Sequence, residues 1–193
     1  MRIVLASASP RRSDILSRAG FCFEKHPVDI DETPLAGESA EECVMRLAGE
    51  KAAKAARERK AQDTIIVGAD TLVALGEEIM AKPVSEDDAR RMLRRLSGKT
   101  HRVVTGIVAL RLPDGFSCRG AEVTRVCFLP LSEKAIDAYV ATGEPLDKAG
   151  AYAIQERGGR FVTRIEGCYF NVVGLPLARL CAMLRMLTGD GGF

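Results

Sequence analysis

The feature that most constrains the fold is the apolar run Thr64-Ile65-Ile66-Val67-Gly68-Ala69, which leads into Asp70. Its first residues are β-branched and its successive positions are apolar, which predicts a strand covered on both faces. Two further runs, 102–112 and 116–129, flank the turn Pro113-Asp114-Gly115 and predict a long β-hairpin. Helical patterns separate these strands without strict alternation. We therefore expect an α/β fold, a mixed β-sheet with flanking helices.

Asp70 stands where the first of these strands is expected to end. A carboxylate is costly to hold at the end of a buried strand unless it binds a cation or takes part in a reaction. The sequence therefore indicates a functional role for Asp70 in preference to a purely structural one.

The stretch Leu5-Ala6-Ser7-Ala8-Ser9-Pro10-Arg11-Arg12 predicts a short strand that runs into a helix. Ser9 is a favourable N-cap, and Pro10 suits the first helical position. A helix N-terminus favours acidic side chains, yet Arg11 and Arg12 stand in its first turn. A phosphate chain bound between the two guanidinium groups would account for them, and so would two arginines that point into water.

A lysine interrupts the apolar face of the next predicted helix. Ser39 and Glu42 form a capping box that opens this helix, which we expect to reach about Arg57. Lys51 falls at the centre of its apolar stripe, which consists of Val44, Leu47, Ala48 and Ala55. A lysine there needs an acidic partner or a cleft, so it has either a functional role or a buried structural ion pair.

Further charged residues complete a set suited to a nucleoside triphosphate. The acidic loop 28–34 contains Glu32, and it is either a solvated loop or a source of metal ligands. Lys82 is held extended by Pro83 behind it. Cations for phosphates and carboxylates for Mg²⁺ are what a nucleoside triphosphate requires. No serine has an evident histidine base, so direct attack by water is the simplest route.

Composition argues against several other classes of function. The net charge of +2 and the lack of Trp disfavour a nucleic-acid-binding surface. No apolar stretch approaches a membrane span or a signal-peptide core, so we expect a cytoplasmic protein without a membrane partner. Six scattered cysteines, expected as buried or half-buried free thiols, fit a reducing compartment. The triplet Gly98-Lys99-Thr100 follows a predicted helix and lacks the first P-loop glycine, so it is not a P-loop.

Seven ordered blocks of sequence carry a family resemblance, which runs from residue 3 to about residue 187. They are S-A-S-P-R-R at 7–12, R-L-A-x-x-K-A at 46–52, G-A-D-T at 68–71, K-P at 82–83, S-G-K-T-H at 97–101, D-K-A-G-A-Y-x-I-Q at 147–155 and N-V-V-G-L-P at 171–176. Together they resemble the Maf family of nucleoside triphosphate pyrophosphatases. Seven blocks in this order are not expected by chance.

The resemblance implies an elongated α/β molecule, similar in fold to inosine triphosphate pyrophosphatases, with two lobes and a central cleft. We expect residues 1–188 to form this single domain and residues 189–193 a flexible tail. The resemblance also implies a house-cleaning hydrolase that converts nucleoside triphosphates to the monophosphate and pyrophosphate. The implied cofactor is a divalent metal cation, Mg²⁺ or Mn²⁺, and the implied assembly is a homodimer.

The D-K-A-G-A-Y-x-I-Q block resembles the group of the family that acts on dTTP and UTP, and modified pyrimidine nucleotides belong to the same class of substrate. By the resemblance, Asp70 is the catalytic acceptor. Three further positions, Arg12, Thr71 and Gln155, are those that set substrate choice. Ala153 and Glu156 stand where this group usually has glycines, and the added carboxylate can alter base preference.

These expectations combine into one mechanistic hypothesis. Asp70 and Glu32 hold the metal, and Asp70 orients or deprotonates the water that attacks the α-phosphorus. The triphosphate and its nucleoside are assigned to Ser7, Ser9, Arg11, Arg12, Lys51, Thr71, Lys82 and Gln155. The alternative from another class is a non-hydrolytic, nucleotide-binding regulator of cell division or septum formation.

Overall fold

The run that begins at Thr64 forms the central strand of a seven-stranded mixed sheet. The structure is a computed structural model that describes residues 1–59 and 63–189. The strands are β1 (Arg2–Leu5), β2 (Phe23–Lys25), β3 (Thr64–Leu75), β4 (Glu78–Met80), β5 (Thr100–Leu112), β6 (Ser117–Phe128) and β7 (Val162–Glu166). The helices are α1 (Pro10–Arg18), α2 (Ala40–Arg59), α3 (Glu86–Leu96), α4 (Glu133–Val140), α5 (Tyr169–Val173) and α6 (Leu177–Thr188).

The sheet has the strand order β2-β1-β3-β5-β6-β7, and β4 pairs with β3 beyond the end of β1. β1 is parallel to β2 and β3, whereas the pairs β3–β5, β5–β6 and β6–β7 are antiparallel. The predicted hairpin on either side of Pro113 is thus confirmed as β5 and β6. The α/β fold with a mixed sheet and flanking helices is confirmed as well.

Side-chain caps begin the helices where the sequence places them. Ser9 accepts a hydrogen bond from the Arg12 amide at 3.5 Å at the start of α1. The capping box is formed as well, because Glu42 accepts from the Ser39 amide at 2.9 Å and Ser39 from the Glu42 amide at 3.2 Å. Each such cap stabilises its helix by about 1 kcal/mol.

The two faces of β3 are covered by different helices because its side chains alternate. On one face, Ile65 and Val67 pack with α1 and α6, and further along Val73 packs with α3 and α4. On the other face, Ile66 and Leu72 pack with the single long helix α2. The cleft is lined from both faces, since it includes Thr71 and Val73 on the first face and Asp70 and Leu72 on the α2 face.

The prediction that β3 ends at Asp70 is wrong, because the strand continues to Leu75. What ends near Asp70 is its neighbour: β1 pairs only as far as Val67, and β4 begins to pair at Val73. Between these two points the edge of β3 has no strand partner among the described residues. Asp70 thus lies in a gap in the sheet, held on its other side by β5.

Two glycines set the distance between α2 and the sheet. A Cβ on Gly68 would lie 2.1 Å from the Ala48 carbonyl oxygen, and one on Gly106 would lie 2.4 Å from that of Val44. Gly106 pairs with Asp70 across β3 and β5. Any side chain at either position would push α2 away from the strands that it covers.

Several smaller features differ from expectation or fall outside the described ranges. Cys22 is exposed, whereas it was predicted to be at least half-buried. None of the described helices is long and apolar enough to cross a membrane. Most of the predicted tail, residues 190–193, lies outside the described residues, and the single domain over 1–188 stays a prediction.

His101 is buried in the core formed by α3, α4 and the ends of β5 and β6. Only 2% of its surface is exposed, and its Nε2 lies 2.8 Å from the Tyr152 hydroxyl. Its ring packs edge-on against Phe128 at 4.9 Å. Burial lowers the pKa of His101 to about 4, so the ring is neutral in the folded protein at neutral pH.

We predict that the free energy of unfolding decreases as the pH falls from about 6.5 towards 4. In that window the unfolded chain binds a proton at His101 and the folded chain does not, which removes on the order of 3 kcal/mol. Chemical denaturation of wild type and His101→Gln at several pH values measures this, and the variant should show the smaller pH slope. The control is His26→Gln, and equal slopes in wild type and His101→Gln would contradict the prediction.

Candidate active site

The cleft has a volume of about 640 Å³ and is bounded by the β1–α1 loop, the acidic loop, α2, β3 and the segment 147–155. The ten residues assigned from the sequence all line it: Ser7, Ser9, Arg11, Arg12, Glu32, Lys51, Asp70, Thr71, Lys82 and Gln155. They come from separate parts of the chain and meet because the gap in the sheet brings these segments together. The site is therefore one continuous surface.

The β1–α1 loop forms one wall and presents the start of α1 to the cleft. Ser7 accepts a hydrogen bond from the Ser9 amide at 3.2 Å, which fixes the turn before the helix. Arg11 is half-buried in the first helical turn at the cleft. A helix N-terminus beside a guanidinium group is favourable for an anion, as the sequence analysis expects.

Arg12 takes a different position from Arg11. Only 8% of it is exposed, and its Nε donates to the Gly174 carbonyl oxygen at 2.8 Å. Its two terminal nitrogens donate to Ser7 Oγ and Thr71 Oγ1, both at 3.0 Å. Burial lowers the pKa of Arg12, while nearby Asp70 and Glu32 favour its charged form. Arg12 is therefore neither solvated nor simply a phosphate contact, since it ties the β1–α1 loop to β3.

The contact between Arg12 and Thr71 continues into the core through residues that the sequence analysis missed. Thr71 Oγ1 lies 2.9 Å from Thr105 Oγ1, and Thr105 donates to the Asn171 carbonyl oxygen at 3.1 Å. The Asn171 amide group in turn donates to the Val103 carbonyl oxygen at 2.9 Å. Only the N-V-V-G-L-P block hinted at Asn171. This chain of hydrogen bonds fixes the hydroxyl of Thr71 at the floor of the cleft.

Four charged side chains form a chain of ion pairs across the cleft. The Lys51 ammonium group lies 2.6 Å from Asp70 Oδ1 and 2.5 Å from Glu32 Oε1. The second oxygen of Glu32 lies 2.9 Å from the Lys82 ammonium group. Lys51 therefore has acidic partners and also opens into a cleft. Both alternatives for Lys51, a functional role and a buried structural ion pair, are consistent with this arrangement.

The carboxylates in this chain lie in different surroundings. Asp70 is 6% exposed, whereas the Glu32 side chain is 41% exposed at the rim. Partial burial of Glu32 favours its neutral form, but hydrogen bonds from Lys51 and Lys82 outweigh this and lower its pKa to about 2. Glu32 is therefore a carboxylate throughout the physiological range, and it is the more accessible of the two.

The donor set suits a cation that shares its ligands with a substrate. Mg²⁺ at nucleotide sites is usually held by one or two carboxylates together with phosphate oxygens and water. Asp70 and Glu32 are two such carboxylates on one cleft, joined through Lys51. Over residues 1–59 and 63–189, no group of three His, Cys, Asp or Glu side chains gathers as an all-protein metal site would require. The two carboxylates thus fit Mg²⁺ or Mn²⁺ only together with phosphates.

Lys148 is a cation of the cleft that the sequence analysis missed. Its side chain is 9% exposed, lines the cleft, and forms an ion pair with the exposed carboxylate of Asp147. Both residues belong to the D-K-A-G-A-Y-x-I-Q block, and this block was the sequence signal that pointed to Lys148. Lys148 therefore adds positive charge to the cleft.

Gln155 lies at the mouth of the cleft in an irregular segment between two short 3₁₀ turns. Its side chain is exposed and makes no hydrogen bond within the described part of the chain. Its amide is therefore free to offer a donor and an acceptor to a ligand.

The match to a family model decides which family this is. The model described as "Maf-like protein" matches residues 2–187. The chain belongs to the Maf family. A Geobacter sulfurreducens relative named "dTTP/UTP pyrophosphatase" is 51% identical, and the match covers 96% of each chain. A relative of the same name from Acetivibrio thermocellus is 49% identical over 96% of this chain and 94% of its own.

A solved structure shares the fold of this Maf protein at a much lower level of identity. The Staphylococcus aureus Ham1 protein superposes with a TM-score of 0.53 and 17% sequence identity, covering 97% of this chain and 100% of that one. The likeness supports the expected fold and says nothing about substrate.

We predict that Lys51→Met lowers the free energy of unfolding by about 3 kcal/mol, because it leaves the buried Asp70 carboxylate without its cation. Adding Asp70→Asn should recover part of this loss, since the double variant no longer has an unpaired buried charge. Chemical denaturation of the single and double variants measures the coupling. Lys54→Met is the control, because Lys54 lies on the same helix and donates to the Asp29 backbone oxygen. Additive losses would contradict a direct Lys51–Asp70 interaction.

Proposed function

We propose that this Maf protein hydrolyses dTTP and UTP to the monophosphate and pyrophosphate. The observation that carries the proposal is identity of 46–51% over at least 95% of the chain to proteins named "dTTP/UTP pyrophosphatase". The cleft supports it, because cations and carboxylates line one continuous surface. A regulator that binds nucleotide without hydrolysis is not favoured by these relatives.

The proposed binding mode places the triphosphate along the cationic side of the cleft. The start of α1, Arg11, Lys82 and Lys148 bind the β- and γ-phosphates, and Lys51 steadies the α-phosphate beside Asp70. Arg12 keeps the loop that carries Ser7 and Ser9 in place and leaves two of its five N–H donors for the ligand. Positive charge on this wall stabilises the departing pyrophosphate.

In the proposed reaction, Asp70 accepts a proton from the water that attacks the α-phosphorus. A bond forms between the water oxygen and the α-phosphorus, and the bond to the α–β bridging oxygen breaks. The electron pair leaves with pyrophosphate. Asp70 suits this role because it lies in the gap of the sheet, where its second oxygen is not engaged by Lys51.

Asp70 and Glu32 would hold a divalent cation, Mg²⁺ or Mn²⁺, together with the phosphate oxygens. When bound, the cation neutralises charge on the phosphate chain and favours attack on phosphorus. Glu32 remains ionised because its pKa lies near 2, so it carries the negative charge that a ligand of the cation needs.

Base preference is assigned to the segment around Gln155. A carboxamide can pair with the edge of uracil or thymine, which offers both a donor and acceptors. Ala153 and Glu156 occupy positions where the dTTP and UTP group usually has glycines. Modified pyrimidine nucleotides therefore belong in the substrate panel. We further propose a cytoplasmic homodimer, a location supported by six free thiols.

We predict metal-dependent release of pyrophosphate from dTTP and UTP in preference to CTP and GTP. Pyrophosphate and single phosphate are measured separately, with Mg²⁺ or Mn²⁺ present or chelated. In ¹⁸O-labelled water the label should appear in the monophosphate, because the water attacks the α-phosphorus. Label in the pyrophosphate, or nucleotide binding without turnover, would contradict the proposal.

We predict that Asp70→Asn lowers kcat by about 10²- to 10⁴-fold, since an amide cannot accept the proton. The measurement is steady-state hydrolysis of UTP. Asp14→Asn, an exposed position on α1, is the control and should retain wild-type activity. Full activity in Asp70→Asn would show that another group accepts the proton.

A further inference from the structure

The segment that carries Gln155 is held by two side chains that no step of the proposed reaction uses. Glu144 Oε1 accepts a hydrogen bond from the Gly158 amide at 3.0 Å, and Oε2 accepts from the Arg157 amide at 3.1 Å. Tyr139 donates its hydroxyl proton to Glu144 Oε1 at 2.7 Å and accepts from the Ala153 amide at 3.2 Å. The two side chains thus join both ends of the segment 153–158.

The backbone of this segment is shaped around the Tyr139 hydroxyl. A Cβ on Gly158 would lie 2.6 Å from that oxygen and 2.8 Å from the Ala153 carbonyl oxygen. Tyr139 is fully buried, with its ring edge-on to Phe161 at 5.0 Å, so the hydroxyl cannot move to make room. The segment is a tight bend built on a fixed polar pair, with Gln155 exposed at its middle.

We propose that Glu144, acting with Tyr139, is a positioning residue for recognition of the base. It fixes the bend so that the Gln155 amide faces the edge of the bound pyrimidine. This inference rests on the proposed function, because it takes the base to lie at Gln155. Neither Glu144 nor Tyr139 is among the residues that line the cleft, so each acts through the bend rather than on the ligand.

The chemistry of the base explains why a fixed bend matters. Uracil and cytosine have the same ring size and differ at position 4 and at N3, where donors and acceptors are exchanged. An amide that can rotate, on a segment that can shift, satisfies either base. A backbone held in one place limits the positions that the Gln155 amide can reach, so the amide fits the edge of one base better than that of the other.

The experiment compares binding of two non-hydrolysable ligands, the α,β-methylene analogues of UTP and CTP, by calorimetry. Inorganic tripolyphosphate serves as a third ligand that has no base. The variants are Glu144→Ala and the shape-conserving Tyr139→Phe, and circular dichroism confirms that each is folded. Glu133→Gln is the matched control, because Glu133 is a carboxylate on α4 whose hydrogen bonds, among the described side chains, are with Arg94.

We expect Glu144→Ala to reduce the preference for the UTP analogue about tenfold, with a smaller reduction in Tyr139→Phe. Binding of tripolyphosphate should stay within about twofold of wild type, because the cationic wall is untouched. If Glu144 had a merely structural role, Glu144→Ala would weaken the binding of all three ligands alike. Equal weakening, or an unchanged preference in both variants, would overturn the inference, as would a wild-type protein that binds the two analogues equally.

The same binding experiment separates this inference from the proposed function. Wild-type protein that prefers the UTP analogue but releases no pyrophosphate from UTP would refute hydrolysis and leave the role of Glu144 to be judged by the variants. Gln155→Ala tests the assigned base contact by itself. If Gln155→Ala loses the preference for the UTP analogue and Glu144→Ala keeps it, the contact of Gln155 with the base is supported and the positioning role of Glu144 is wrong.

Discussion

The close approach of α2 to the sheet is the constraint on which the site depends. Gly68 and Gly106 leave no side chain between the helix backbone and strands β3 and β5. Lys51 lies one turn beyond Ala48, whose carbonyl oxygen faces Gly68, so its ammonium group reaches Asp70 at 2.6 Å. Burying a lysine or an aspartate alone costs free energy. The packing of α2 on the sheet holds the two buried charges together as a pair.

The gap in the sheet is the second element of the arrangement. Because β1 stops pairing at Val67 and β4 starts at Val73, the part of β3 between them faces a cleft instead of another strand. A sheet without this gap would bury Asp70 and Thr71 completely. The gap also gives Arg12 a route to Thr71, which connects the start of α1 to the floor of the cleft. The geometry of the sheet therefore also determines how a substrate can be positioned in this protein.

Sequence patterns predicted the elements that have strong local signals. The N-caps, the α2 stripe with Lys51 and the β5–β6 hairpin depend on neighbouring residues, so their signals are complete in the sequence. The predicted end of β3 at Asp70 was wrong because a carboxylate inside this strand is accommodated by the gap between β1 and β4, which no local pattern records. The buried position of Arg12 could not be foreseen, since it depends on Gly174, 162 residues away in the chain. The ten assigned residues share one cleft, while their chemical roles stay predictions.

The central claim is that glycine at the α2–sheet contact keeps Lys51 against Asp70. The most direct measurement is the free energy of unfolding and the rate of UTP hydrolysis in Gly106→Ala, compared with Gly49→Ala on α2. A Cβ on Gly49 would meet only Val108 at 3.9 Å, so that variant should be as stable as wild type or more so. Gly106→Ala should lose about 1–3 kcal/mol of stability and most of its activity. Wild-type stability and activity in Gly106→Ala would contradict the claim.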